Sequence, residues 1–167
     1  PPKREFVETV SGDYRESNAI AEYRGPRSMI ENGGTKVAVM PLRAMEITKE
    51  LAFVVDELVL TELQNSGFEA IGPEDINALV GFESVRDAVG CNDASCMVEI
   101  GTALGVPYLV AGSIASLDGS TVMTLKIIDV QQTRVLARVN KVDQGGRREI
   151  PRVVANTVAS LVRKSNL

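Results

Sequence analysis

Histidine is absent from this chain of 167 residues. With it goes the commonest general base, the usual serine and cysteine triads, and most catalytic zinc sites. Carboxylates, lysines or a bare thiolate remain as reactive groups, so catalysis is disfavoured without being excluded. Tryptophan is absent too, and four Phe and three Tyr leave little surface on which nucleobases could stack. Positive charge is not in excess: 18 Lys and Arg stand against 22 Asp and Glu, for a net charge of −4. Nucleic-acid binding leans on clustered cations, so no nucleic-acid partner is expected. No apolar run approaches the roughly 20 residues that a membrane-spanning helix needs, and no signal peptide is visible. The chain opens on Pro1 and not on Met, from which removal of an upstream segment is expected.

What is present is ordinary for a globular protein: 44% apolar and 24% charged residues, in a length that fits one domain with a modest tail. Residues 1–34 have no clean period of 2 or 3.6. Gly12, Gly25, Pro26, Gly33 and Gly34 punctuate them, while Tyr14, Tyr23 and other apolar residues are spread between alternating charges. They read as an N-terminal extension or linker, with 35–167 as a single domain. "KVAVMPL" (36–42) reads as a buried strand stopped by Pro41. From Thr48 to Ser66, Leu51, Val55, Leu58, Val59 and Leu63 form a helical stripe, with Thr48 as N-cap and Gly67 as stop. "FEAIG" is a second strand and Pro73 starts a helix. Residues 82–90 are a short helix or loop, and 94–104 a helix ended by Gly105 and Pro107. Strand-like runs at 108–117, 121–130 and 134–143 follow, the first two joined by Asp118-Gly119. A closing helix carries Ile150, Val154, Val158 and Leu161 in its stripe. The order β-α-β-α-(α)-β-β-β-α predicts an α/β fold, a mixed five-stranded sheet packed with helices.

Cys91 and Cys96 are the only cysteines. Their spacing and the absence of histidine cannot supply four zinc ligands, and C-x₄-C is wider than the C-x-x-C of thioredoxin-like redox sites. Two readings stand: a pair of reduced thiols, or a local disulfide closed over the turn-forming "NDAS". The second would stabilise by about 2 kcal/mol on the chain-entropy model. It would also imply an oxidising compartment, in bacteria the periplasm.

"KVAVMPL", the helix ending "LQNSGF", "EAIGPEDINALV", "VEIGTALGVPYLVAGSI" and the paired strands through "TVMTLKIIDVQQTRVLARVNK" together carry a resemblance over roughly residues 36–162. The chain resembles bacterial envelope proteins related to the curli secretion-channel lipoprotein (the CsgG-like group). It is similar as well to the N-terminal domain of the TolB type and to lipoprotein activators of peptidoglycan synthases. The resemblance implies a periplasmic, non-enzymatic domain, tethered to the outer membrane through a lipidated cysteine upstream. The curli channel inserts a membrane-crossing hairpin where this chain has only "LDGS". A membrane strand needs about 9–11 residues, so the resemblance implies a soluble variant without that pore.

Phe53 and Leu60 are seven residues apart on the first helix and lie about 140° and 120° from the centre of its stripe. They are read either as a second covered face or as an apolar strip for a partner. Together with Tyr14 and Tyr23 of the extension they are the candidate partner-binding residues. Glu46, Glu50, Asp56, Glu57 and Glu62 read as a solvated helix flank, with no nucleophile paired to them. "ENGGTK" lacks the spacing of a phosphate loop, and Glu74, Asp75 and Asn77 lack that of a calcium loop. No catalytic residue, cofactor or metal is expected. The function expected is an interaction domain of an envelope assembly, with other envelope proteins as partners. The alternative is a ring- or filament-forming subunit of a secretion or motility machine, with residues 1–34 clasping a neighbour. A small-molecule-binding or enzymatic domain is a third reading, which a pocket with convergent carboxylates and lysines would favour.

Overall fold

Four parallel strands and two antiparallel hairpins share one sheet in the computed structural model, which describes residues 34–80 and 94–167. The elements are β1 (Lys36–Val39), β2 (Arg43–Met45), α1 (Lys49–Asn65), β3 (Glu69–Ile71), α2 (Pro73–Val80), α3 (Ala94–Leu104), β4 (Tyr108–Leu117), β5 (Ser120–Asp129), β6 (Arg134–Asp143) and α4 (Ile150–Ser165), with a 3₁₀ turn at Gly146–Glu149 before the last helix. The strand order is β3-β1-β4-β5-β6, with β2 also beside β4. β1 pairs in parallel with β3 and β4, and β4, β5 and β6 are antiparallel. Thr35–Leu167 is one compact unit.

The helix ends follow their local chemistry. Thr48 Oγ1 accepts the Leu51 N–H at 3.3 Å and caps α1. At the other end the Gly67 N–H donates to the Gln64 carbonyl and the Phe68 N–H to the Leu63 carbonyl, with Gly67 at φ 95°. That is a Schellman closure, and Phe68 and Leu63 carry it into the core. The β4–β5 hairpin turns through Asp118 and Gly119, both at positive φ, as its two-residue loop requires. α4 has a proline in its first turn and Arg163 and Lys164 in its last, where cations suit the helix dipole.

Both sheet faces are used, unequally. α1 and α4 cover one face, burying Val37, Val39, Val110, Ile114, Leu125 and Ile127 against Val55, Val59, Val154, Val158 and Leu161. α2 and α3 cover part of the other, with Ile76 and Met97 against Ala38, Leu109, Ala111 and Ile128. Each such aliphatic side chain contributes roughly 1.5–3 kcal/mol of transfer free energy when fully buried.

The expected mixed α/β sheet packed with helices is what forms, its five-strand path joined by one short further strand, β2. β1 ends at Val39, ahead of Pro41, and the chain rejoins β4 beyond a bulge. Val39 pairs with Val110 and Arg43 with Ser113, so four steps on the first side face three on β4. The extra residue is taken up at Met40–Leu42, where Pro41 has no N–H to give to a ladder. Beyond the bulge the chain returns to the same edge of β4 as β2, with all three of its residues exposed.

Candidate functional site

The bulge creates the most unusual polar contact of the described residues. Leu42, next after Pro41, donates its N–H to Asp56 Oδ1 of α1 at 3.0 Å. Asp56 is only 9% exposed. The solvated-flank reading of Asp56 is therefore corrected: it sits at i, i+3 and i+7 with the buried Val59 and Leu63, and the orphan backbone N–H beyond Pro41 draws its carboxylate inward. Among the described residues Oδ1 has this one bond and Oδ2 accepts none. Burial pushes the Asp56 carboxyl up to about 6, Glu57 adds to the rise, and the Leu42 N–H opposes it.

Asp56 opens onto a cleft of about 240 Å³. Its apolar walls are Phe53, Pro41 and Pro73; its polar walls are Asp56, Glu57, Glu74 and Asn77. Among the described residues no lysine or arginine lines it. The topology explains the location. β1 and β3 are adjacent and parallel, yet the chain leaves β1 towards α1 on one face and leaves β3 for α2 on the other. Such a divergence opens a crevice at the carboxyl ends of parallel strands, the usual ligand position in α/β sheets. The first turn of α2 is held in place there: the Gly72 N–H donates to Asp75 Oδ2 at 3.0 Å, the reach-back half of a capping box.

The expected Phe53–Leu60 strip divides in two. Phe53 is 51% exposed on the rim of the cleft. Leu60 is half-buried against the core, and a Cβ on Gly72 would come 2.8 Å from its Cδ2. The turn between β3 and α2 thus covers Leu60 and leaves Phe53 open. Tyr14, Tyr23 and the rest of 1–33 lie outside the described residues, as does Cys91. Cys96 lies half-buried on α3 beside the second core cluster.

A second surface had no signal within any one segment. On the sheet face beyond α3, Met45, Ala115, Val122 and Val142 are register partners across β2, β4, β5 and β6. Met45 and Val142 are more than half exposed, as is Leu117 at the corner of the row. The adjacent row is polar, with Asn140 Nδ2 donating to Thr124 Oγ1 at 3.1 Å. Among the described residues no group of three or more His, Cys, Asp or Glu could hold a metal, and no helix is long and apolar enough to cross a membrane.

The arrangement is a layered α/β domain with a small acidic crevice. No family model and no curated protein matches the chain. Solved structures share its fold. The PelC dodecamer from Paraburkholderia phytofirmans aligns at TM-score 0.51 and 17% identity, over 79% of this chain and 87% of its own. Lipoprotein GNA1162 from Neisseria meningitidis aligns at TM-score 0.53 and 9% identity, over 77% of this chain and 96% of its own. TolB from Acinetobacter baumannii, at TM-score 0.46 and 19% identity over 77% of this chain and 28% of its own, is too slight a likeness to carry an argument. None of the three is a curli channel protein. These likenesses establish the fold alone.

Proposed function

We propose that this chain is a non-enzymatic protein-interaction domain of a bacterial envelope assembly, acting in the periplasm and tethered to the outer membrane by a lipid upstream. The carrying observation is the Phe53 cleft: an exposed aromatic side chain beside a carboxylate held out of solvent, in a recess below the roughly 300–1,000 Å³ usual for small-molecule sites. Among the described residues its carboxylates share the recess with neither a nucleophile nor a lysine, so the recess suits docking better than bond-making. The fold's occurrence in a Neisseria lipoprotein supports the envelope reading. The curli-channel part of the resemblance is retained as a proposal for the fold's ancestry only.

The test is Phe53→Asp, followed by light scattering and by pull-down from an envelope fraction. Leu60 is left intact, because a charge there would be forced against Gly72 and the core. Loss of association in a folded variant supports the reading. Unchanged association removes α1 from it.

One observation favours a second reading, a self-assembling subunit. The Met45–Ala115–Val122–Val142 row spans four strands of an open sheet face, and the same fold forms a dodecamer in PelC. Its occupant would be a second copy of this chain, with residues 1–34 as a clasp. Sedimentation of the full chain against a 35–167 truncation tests it. A monomer in both leaves the simple adaptor.

A further inference from the structure

The charge and shape of the cleft specify what the docking partner must present. Three carboxylates, those of Asp56, Glu57 and Glu74, line a recess to which no lysine or arginine among the described residues contributes. One of them is nine-tenths out of solvent and has an oxygen that no described residue satisfies. That oxygen is not sealed off, since among the described residues no fully buried side-chain oxygen lacks a partner; it opens on the cleft, where an entering cation or donor can reach it. Burial has already raised Asp56 to about 6, which leaves it mostly ionised at neutral pH, so an entering cation would find a charge with no counterion of its own. The walls are equally selective. Phe53 contributes an aromatic ring on which a flat cation could stack, and Pro41 and Pro73 offer apolar surface to a methylene stem. A guanidinium combines these needs: it is planar, stacks on aromatics, stays charged, and sends several N–H donors towards carboxylate and amide oxygens such as those of Asp56 and Asn77.

Resting on the docking reading above, we propose that the Phe53 cleft receives an arginine side chain presented by the partner protein.

The probe is acetyl-arginine-N-methylamide, titrated into the full chain while backbone amide resonances are followed by NMR. The uncharged citrulline analogue is the control. Saturable shifts are expected at Leu42, Phe53 and Asn77, with a dissociation constant on the order of millimolar. Asp56→Asn keeps an oxygen for the Leu42 N–H and should weaken the arginine probe about tenfold. The inference is overturned by an absence of saturable shifts up to about 50 mM, by citrulline binding as well as arginine, or by an unchanged affinity in Asp56→Asn. Those results alongside a Phe53→Asp variant that has lost its partner would leave docking standing without the arginine. A Phe53→Asp variant that keeps its partner removes both.

Discussion

Asp56→Asn should make the protein more stable at neutral and alkaline pH and leave it nearly unchanged in acid. The asparagine oxygen can still accept the Leu42 N–H, so the bulge keeps its anchor while the charge goes. The magnitude follows from the carboxyl's rise from 3.8 to about 6, which corresponds to roughly 3 kcal/mol at 1.36 kcal/mol per pH unit. One oxygen opens on the cleft and is partly screened by water, which lowers the expectation to about 1–3 kcal/mol. The sign is fixed by linkage. A carboxyl raised in the folded state contributes stability that is fully present below 3.8 and is lost as pH rises through about 6. Asparagine does not titrate. The difference between variant and wild type should therefore be near zero at about pH 4, grow to about pH 7, and stay level above it. Urea denaturation of both proteins at matched pH reads it directly. A difference that is the same at both ends of the range, or a variant less stable at about pH 8, would refute the burial of an ionised Asp56.

Three other expectations concern other positions of the chain. A Cβ at Gly112 would collide with the Thr124 carbonyl oxygen on the neighbouring strand. Gly112→Ala should cost about 3 kcal/mol or more by forcing β4 from β5, visible as a fall in the midpoint of thermal unfolding. The Asp143 carboxyl is held below the usual carboxylate range first by the Gly145 N–H, at 2.7 Å, and then by the Arg152 guanidinium. Its contribution to stability is present above the ordinary value of 3.8 and lost as pH falls through the lowered one, so Asp143→Asn should flatten the acid limb of the stability profile. Intact mass with and without thiol alkylation should show a Cys91–Cys96 bond as no added alkyl groups until the chain is reduced; two groups added without reduction would mean reduced thiols.

Local chemistry was legible in the sequence, and long-range accommodation was not. Thr48, Gly67, Pro73 and the Asp118-Gly119 turn act within a few residues of themselves, and each does in space what its residue type predicts. The stripe Ile150, Val154, Val158 and Leu161 is buried as its period requires. Pro41 reads as a stop and β1 does end ahead of it, but the partner strand β4 continues and accepts the chain again at Arg43, with one extra residue taken up between. Asp56 misleads for a related reason: its partner Leu42 is 14 residues away, so nothing beside it explains its burial. A faint signal existed in its position beside the apolar stripe, in step with Val59 and Leu63. Leu60 looked equivalent to Phe53 on the helix wheel, and only the return of the chain at Gly72 separates them. The open apolar row draws one residue from each of four strands, so no window of sequence contains it.

Whether this domain works by docking at Phe53 is tested most directly by placing a photoreactive amino acid at position 53 of the full chain in cells, with exposed Asn156 on α4 as the comparison site. The account predicts one protein adduct from position 53 and none from 156, with the yield falling when Asp56, Glu57 and Glu74 are converted to their amides. Equal yields from both positions, or a yield from 53 that ignores the loss of those charges, would contradict it.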